Sequence, residues 1–150
     1  MPLSKEEILK LVPQQPPFRF IDTINQLYEE GIEAAYTFKP DESFYEGHFP
    51  GNPITPGVIL LETLAQTGVV AYGIYLASLK MSIEEIRTIL TVFTEAQVEF
   101  SGMVLPGETA IIRAKKIYFR RLKLKVEASI EVNSKIVCSG TIAGMGVKST

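Results

Sequence analysis

The spacing of hydrophobic residues changes along the chain, and at its beginning it predicts a short helix. Apolar residues recur at helical spacing over residues 8–12. Ser4 and Glu7 precede this run with the spacing of a capping box, in which each side chain binds the backbone amide of the other residue. We therefore predict a helix over residues 5–11, and the proline-rich residues 13–17 bring it to an end.

The next two segments have the composition of a β-hairpin. Residues 18–28 and 32–38 are rich in aromatic and β-branched side chains, which favour strands. The three residues between them, Glu29-Glu30-Gly31, are polar and end in glycine, as turns commonly do. We predict two antiparallel strands joined at this turn, followed by a polar loop over residues 39–43.

A long apolar run over residues 58–79 dominates the middle of the chain. Its length is that of a membrane span. It also contains Glu62, Gln66 and several hydroxyl-bearing side chains, which a membrane span rarely carries. A buried central helix of a soluble protein is therefore the better prediction. Ser82 and Glu85 form a second capping box and predict one further helical turn.

The last third of the chain predicts a sheet. Its strand-forming segments, rich in β-branched residues, are residues 88–100, 109–119, 122–132 and 136–147. Asn133-Ser134 predicts a tight turn between the last two segments. A helix that is apolar nearly all round needs cover on nearly all sides. The sequence thus predicts an α+β fold, with a curved antiparallel sheet wrapped around a long central helix, in one domain over residues 1–150.

Composition and charge exclude several classes of function. The formal net charge of -2 gives no global affinity for nucleic acid. The single cysteine, Cys138, excludes an internal disulfide and fits a reducing compartment. Because Cys138 lies in a predicted strand, a small apolar role is favoured over that of a nucleophile. The first residues lack the basic and apolar segments of a signal peptide, so we expect a cytoplasmic protein.

The stretch from Gly47 to Gly57 is the most unusual in the chain. It holds three prolines, three glycines and the only histidine, His48. Proline restricts the backbone angles, and glycine permits angles that other residues avoid, so together they hold a loop in one shape. Histidine is the side chain best suited to exchanging protons near neutral pH. His48 is therefore a candidate acid–base residue. No cluster of Cys, His and Asp has ligand spacing, so no metal site is predicted.

Candidate groups for the same chemistry follow at the start of the central helix. Thr55 suits the N-cap and Pro56 the first helical position, which leaves the Gly57 amide free to polarise a carbonyl oxygen. A Pro-Gly pair that simply makes a sharp turn is the alternative. Burial of Glu62 among apolar residues disfavours its charged form and suits a general acid, unless Glu62 lies on a solvent-facing stripe. Gln66 lies one turn further on the same face and could orient Glu62.

The pairing of His48 with Glu62 stays open on these grounds. If Thr55 begins the helix, Glu62 lies about 10 Å along its axis, at 1.5 Å per residue. Either the loop folds back towards Glu62, or His48 meets the Glu62 of a second copy.

Residues 47–58, followed by residues 61–66, resemble the signature of the 3-hydroxyacyl-acyl-carrier-protein dehydratases. The resemblance extends to residues 16–22 and residues 98–108. It implies a hotdog fold, which is a long helix wrapped by an antiparallel sheet. It also implies a homodimer whose two sheets join, often assembled as a trimer of dimers. In such dimers the histidine of one subunit faces the acidic residue of the other.

The resemblance further implies the reaction. A (3R)-3-hydroxyacyl thioester on acyl carrier protein is dehydrated reversibly to the trans-2-enoyl thioester, in fatty-acid or related polyketide-like biosynthesis. His48 would take the proton alpha to the carbonyl, Glu62 would assist departure of the hydroxyl, and the Gly57 amide would bind the thioester carbonyl. No cofactor is required. The further residues expected to bind or support the substrate are Phe49, Val58 and Gln66.

Three other functions are alternatives to this interpretation. The alternatives are (R)-specific hydration of enoyl-CoA, a hotdog thioesterase and a non-catalytic acyl-binding module.

Gln14-Gln15 stands where the family commonly has His-Arg, which removes no proposed catalytic group. Ser101-Gly102-Met103 replaces a common Lys-Arg-Pro, which bears on carrier docking and chain length. A basic run over residues 115–125 could dock an acidic carrier protein or simply face solvent.

Overall fold

The computed structural model describes residues 2–149, and its first element is the predicted short helix. Helix α1 spans Lys5–Leu11. The Ser4 hydroxyl accepts a hydrogen bond from the Glu7 amide at 3.1 Å, and the Glu7 carboxylate accepts one from the Ser4 amide at 3.2 Å. Both halves of the capping box are therefore present, and the predicted helix is confirmed.

The hairpin forms as predicted, but its first strand is shorter. Strand β1 spans Thr23–Tyr28 and strand β2 spans Gly31–Thr37. The prediction that a strand begins at Phe18 was wrong. The Gln66 side chain binds the Phe18 carbonyl and the Phe20 amide, so these backbone groups pair with the central helix and not with a strand.

The long apolar run forms the central helix α2, Gly57–Ser78. Its first and last thirds are α-helical, whereas Gln66–Ala71 has the wider π-helical turn, which the apolar pattern did not indicate. Helix α2 is long and apolar enough to cross a membrane, but 61% of its most apolar 18-residue stretch is buried inside this fold. The helix is therefore apolar because it forms the core. Helix α3, Ile83–Ile86, follows with the predicted Ser82 cap.

Four long strands complete one six-stranded sheet. They are β3 (Ile89–Phe100), β4 (Thr109–Arg120), β5 (Lys123–Val132) and β6 (Lys135–Lys148). All neighbours pair antiparallel in the order β1-β2-β4-β5-β6-β3, so β1 and β3 are the two edges. Asn133 and Ser134 have φ of 51° and 66°, which fits the tight turn predicted between β5 and β6.

The sheet lies close against the central helix. A side chain at Gly68 would place its Cβ 3.2 Å from Val126 of β5 and 3.4 Å from Ala114 of β4. A residue without a side chain therefore lets α2 approach the strands. The largest fully buried side chains include Tyr72 and Leu64 of the helix and Ile112 of the sheet. Burying each such side chain stabilises the fold by about 1.5–3 kcal/mol, and the predicted helix-in-sheet architecture is confirmed.

Cys138 lies within this core. It is fully buried on β6, and burial raises the pKa of its thiol to about 11. The thiolate is the nucleophilic form of cysteine, so this side chain is unreactive near neutral pH. The burial agrees with the apolar role predicted for it.

Candidate active site

The central helix begins one residue later than the sequence predicted. Pro56 is the N-cap, because its carbonyl accepts hydrogen bonds from the amides of Ile59 (2.9 Å) and Leu60 (3.2 Å). The prediction that Thr55 caps the helix was wrong. Its hydroxyl is 2.6 Å from the buried Tyr45 hydroxyl, which holds it away from the helix amides. Gly57 is consequently the first helical residue.

The Gly57 amide is a free donor in this setting. Its N–H finds no acceptor within residues 2–149, and it lies at the positive end of the helix dipole. A Cβ on Gly57 would contact the Phe100 ring at 3.4 Å. Glycine therefore keeps the space between the helix start and the end of β3 open. The Val58 side chain next to it is 73% exposed and points into solvent.

His48 is oriented by the loop that contains it. Its Nδ1 lies 2.8 Å from the Ile54 carbonyl oxygen, and the Ile54 amide donates back to the His48 carbonyl at 2.8 Å. A carbonyl oxygen only accepts hydrogen bonds, so Nδ1 carries the proton and the neutral ring leaves a lone pair on Nε2. The His48 ring stacks on Phe49, with centroids 4.1 Å apart. The Nε2 atom is thereby presented as a proton acceptor.

Glu62 is held by the Gln66 side chain. Gln66 is fully buried, and its side-chain amide makes three hydrogen bonds. Its Oε1 accepts from the Phe20 amide at 2.7 Å, while its Nε2 donates to the Phe18 carbonyl and to the Glu62 carboxylate, both at 2.8 Å. The backbone of residues 18–20 fixes which end of the amide is nitrogen, so Gln66 always presents a donor to Glu62. The contact indicated by the i, i+4 spacing is present.

His48 and Glu62 do not meet within one subunit. In the part of the chain that the structure describes, neither a hydrogen bond nor an ion pair joins them. Glu62 instead lines a cavity of about 50 Å³. The other walls of this cavity are Gln14, Ala65, Val69, Val70, Thr91, Val92 and Phe93. The single chain thus carries the two groups at separate places.

A second, apolar cavity lies behind the Glu62 cavity. It measures about 40 Å³ and shares Val69, Val70 and Thr91 with it as walls. Its remaining walls include Leu11, Gly73, Ala77, Ile86, Phe119 and Leu122. The two cavities are therefore neighbours between the central helix and the sheet, and the walls of the second are suited to a hydrocarbon chain.

Gln14 was missed as a site residue in the sequence. It was noted only as a departure from the dehydratase pattern, without a catalytic consequence. The structure places it in the same cavity as Glu62, and its Oε1 is buried without a hydrogen-bond partner among the described residues. The departure from the family pattern at residues 14 and 15 was the feature of the sequence that could have pointed to Gln14.

Among the described residues no metal site forms around these groups, and the basic run borders the apolar cavity, of which Phe119 and Leu122 are walls. Over residues 2–149 no group of three or more His, Cys, Asp or Glu side chains is placed to hold a metal ion. The basic run follows the β4–β5 hairpin, where Lys125 is paired with Glu95 at 2.8 Å. Thr55 binds the Val104 carbonyl, a few residues before β4 begins, so the hairpin tip lies at the opposite end of that strand.

Comparison with known proteins identifies the family. The model of the FabA-like domain matches residues 12–141. The 3-hydroxyacyl-[acyl-carrier-protein] dehydratase FabZ of Chloroflexus aggregans is 35% identical over 93% of this chain and 93% of its own length. The chain belongs to the FabA-like dehydratase family. The FabZ of Streptococcus agalactiae is 33% identical to this chain, over 91% of this chain and 93% of the length of that FabZ.

One relative of this FabA-like chain is longer. The bifunctional enzyme LpxC/FabZ of Chlorobaculum tepidum is 35% identical over 90% of the chain, which spans 28% of that protein.

Solved structures show the same architecture at low sequence identity. The dehydratase heterocomplex ApeI:P from Xenorhabdus doucetiae superposes with a TM-score of 0.77 at 13% identity, covering 100% of this chain and 92% of that one. The thioesterase HI1161 from Haemophilus influenzae gives a TM-score of 0.67 at 16% identity, over 99% and 93% of the chains. The hotdog fold of this FabA-like protein is thereby confirmed.

Proposed function

We propose that the chain dehydrates (3R)-3-hydroxyacyl thioesters of acyl carrier protein to the trans-2-enoyl thioesters. The observation that carries the proposal is the Glu62 carboxylate, fixed by the buried Gln66 amide at the wall of a cavity that adjoins a second, apolar cavity. A carboxyl group held beside a cavity with mainly apolar walls suits acid chemistry on an acyl chain. Membership of the dehydratase family supports the same assignment.

The proposed reaction uses one base, one acid and one hydrogen-bond donor. His48 Nε2 takes the proton from Cα, and the electron pair left behind forms the C2–C3 double bond while the C3–O bond breaks. The hydroxyl takes the proton of the Glu62 carboxylic acid and leaves as water. The Gly57 amide donates to the thioester carbonyl oxygen, on which negative charge develops. His48 then releases the proton it gained and Glu62 regains the proton it gave, both through solvent.

We propose a homodimer that completes this site through the free edge of β3. Within the described chain, β3 pairs only with β6, so its 12 residues leave one row of backbone groups unpaired. Side chains along and beside this edge are apolar and 38–73% exposed, an arrangement typical of an interface. They are Leu90, Val92, Phe93, Phe100, Val147 and Val58.

In this dimer His48 of one subunit would face Glu62 of the other. The separate placement of the two groups within one chain supports the arrangement. Phe49 is 50% exposed beside the His48 ring, so it and Val58 are positioned to contact substrate or partner once the second subunit is in place. A role in fatty-acid biosynthesis in the cytoplasm follows from the proposed substrate.

Turnover of matched substrates tests the proposed function. Purified protein is incubated with the same 3-hydroxyacyl group on carrier protein and on CoA, and enoyl product and free thiol are measured separately. We expect enoyl product without thiol release, and a higher kcat/KM for the carrier-protein form. A preference for CoA would favour an enoyl-CoA hydratase, and stoichiometric thiol release would favour a thioesterase. No product of either kind would reject the enzymatic proposal.

Gly73→Leu is expected to shorten the acyl chains that the protein accepts. Gly73 lines the apolar cavity, and a Cβ there would meet only Leu124, at 3.8 Å, so the side chain would grow into the cavity. Leucine also favours a helix over glycine by up to about 1 kcal/mol, so folding is preserved. We expect kcat/KM for long chains to fall by about 10-fold or more, the effect of excluding a methylene or two.

A graded series of chain lengths measures this effect. Gly73→Ala is the matched control, since it adds only the Cβ for which room exists. Short-chain turnover is expected to stay near wild type in both variants. An equal loss at every chain length in Gly73→Leu would place the acyl chain elsewhere.

A further inference from the structure

The ring nitrogen of His48 that carries the proton is selected by a single peptide unit. This unit joins Ile54 to Thr55, and because a peptide unit is planar, its carbonyl and its amide turn together. The Ile54 carbonyl accepts from His48 Nδ1 at 2.8 Å, while the Thr55 amide donates to the Val104 carbonyl at 2.9 Å. Whatever fixes Thr55 therefore also fixes the acceptor that orients the His48 ring.

A pair of buried hydroxyls holds Thr55 in addition. The Tyr45 and Thr55 hydroxyl oxygens lie 2.6 Å apart, so one hydroxyl donates to the other. Tyr45 is 5% exposed and Thr55 is 4% exposed, so water does not compete for this bond. If either hydroxyl were removed, the other would be left in the core without its partner.

Tyr45 belongs to the segment that leads into the His48 loop. It ends a single 3₁₀ turn, Ser43–Tyr45, and the Phe44 carbonyl within this turn accepts a hydrogen bond from the His48 amide at 3.1 Å. His48 is thus bonded through its backbone to the residue before Tyr45, and through its ring to the residue before Thr55. The hydroxyl pair joins these two anchors to each other.

The proposed reaction requires a fixed separation between His48 Nε2 and the Gly57 amide. The α hydrogen and the carbonyl oxygen that these two groups meet belong to neighbouring carbon atoms of the substrate. Gly57 follows Thr55 after one residue, Pro56, whose ring restricts the backbone to a narrow range of φ. The position of Thr55 therefore bears on the Gly57 amide as well as on the acceptor of the His48 ring.

We propose that Tyr45 is a positioning residue, and that its hydrogen bond to Thr55 fixes the base relative to the carbonyl-binding amide of the same subunit. The inference rests on the proposed dehydration and adds a residue that acts without touching the substrate. Tyr45 is buried and is a wall of neither the Glu62 cavity nor the apolar cavity. Its effect passes through Thr55 to the Ile54 carbonyl on one side and to the Gly57 amide on the other.

Tyr45→Phe removes the hydroxyl and keeps the ring. We expect kcat for a 3-hydroxyacyl thioester to fall about 10-fold while KM stays within about 2-fold of wild type, because a small displacement of reacting groups slows the chemical step. Thr55→Val removes the same bond from its other end and is expected to have the same effect. The double variant should lose about 10-fold as well, since one shared bond is lost in all three proteins. A loss of about 100-fold in the double variant, the product of two independent effects, would contradict the proposal.

The ring of His48 reports the same change without turnover. His48 is the only histidine of the chain, so its two ring nitrogens give one pair of NMR signals, whose chemical shifts show which nitrogen carries the proton. At a pH at which the ring is neutral, we expect Nδ1 to carry it in the wild type. In Tyr45→Phe both shifts should move towards those of a histidine in an unstructured peptide, where the two tautomers exchange. A purely structural role of Tyr45 would leave the shifts of the folded protein unchanged.

Tyr72→Phe is the matched control. Tyr72 is also buried, and its hydroxyl donates to the Glu29 carbonyl, in the turn between β1 and β2. It lies fifteen residues beyond Gly57 on helix α2, about 22 Å along the axis at 1.5 Å per residue. This variant is expected to lower the Tm, as the loss of a buried hydrogen bond does, while kcat and the His48 shifts of the folded protein stay near wild type.

The two readouts separate this inference from the proposed function. Wild-type protein without turnover would reject the dehydratase proposal only, and the ring shifts would still decide whether Tyr45 selects the tautomer of His48. If Tyr45→Phe does not fold, Thr55→Val alone provides both measurements. Wild-type ring shifts in the folded variants, or a wild-type kcat in either single variant, would overturn the positioning role of Tyr45.

Discussion

His48→Ala and Glu62→Gln are each expected to lower the rate of dehydration by about 10²–10⁴-fold, the usual contribution of a general base or acid. His48→Ala removes the Nε2 lone pair that the Ile54 contact leaves free. Glu62→Gln keeps the shape of the side chain but offers no acidic proton to the leaving hydroxyl. Turnover of a 3-hydroxyacyl thioester on carrier protein measures both effects. Near wild-type turnover in either variant would contradict the proposed mechanism.

A mixture of the two inactive variants tests the shared site. In a mixed dimer, one of the two sites combines an intact His48 with an intact Glu62, and the other combines both substitutions. Subunit exchange is therefore expected to restore part of the activity. Size-exclusion chromatography of each variant alone serves as the control that the assembly of the wild type is kept. Absence of recovery, with exchange demonstrated by differently tagged subunits, would count against pairing across the dimer.

Gln66→Leu is expected to lower the free energy of unfolding by about 2–5 kcal/mol, because it leaves one buried and one partly buried backbone group without partners. These groups are the Phe20 amide and the Phe18 carbonyl. The same change frees the Glu62 carboxylate from its donor, so turnover of the folded fraction should fall as well. Urea denaturation followed by activity measurement below the transition gives both numbers.

Gln26→Leu provides the comparison for this prediction. Gln26 is an exposed residue of strand β1, outside the Glu62 cavity, and surface substitutions of this kind change stability by about 0.5 kcal/mol or less. If Gln66→Leu unfolded at the same urea concentration as Gln26→Leu, the Gln66 contacts would have no energetic role.

The elements of the fold that depend on nearby residues could be predicted from the sequence. The capping box at Ser4, the side-chain cap at Ser82 and the turn at Asn133 act over three or four residues, and each is present in the structure, although the Glu85 carboxylate binds the Ser82 hydroxyl and not its amide. The start of β1 and the helix cap could not be predicted. Phe20 binds a side chain 46 positions away, and the Thr55 hydroxyl binds Tyr45. Such distant competitors are invisible to propensity and spacing.

One part of the candidate site could likewise be predicted from the sequence, and another part could not. His48, Gly57 and Glu62 lie within one short motif, so the sequence indicated all three together. The cavity around Glu62 joins Gln14 to Thr91, two residues that only the packed fold brings together. An unsatisfied buried oxygen is a property of that packing, so no pattern of residues along the chain contains it.

The bond between His48 Nδ1 and the Ile54 carbonyl has a stereochemical consequence. With one ring nitrogen committed to the loop, the proposed mechanism uses Nε2 alone to carry the proton in both directions of the reaction. A single atom held in this way would reach the α carbon from one face. Hydration of an enoyl thioester in heavy water would therefore place deuterium in one configuration at that carbon, and dehydration would remove the same label again.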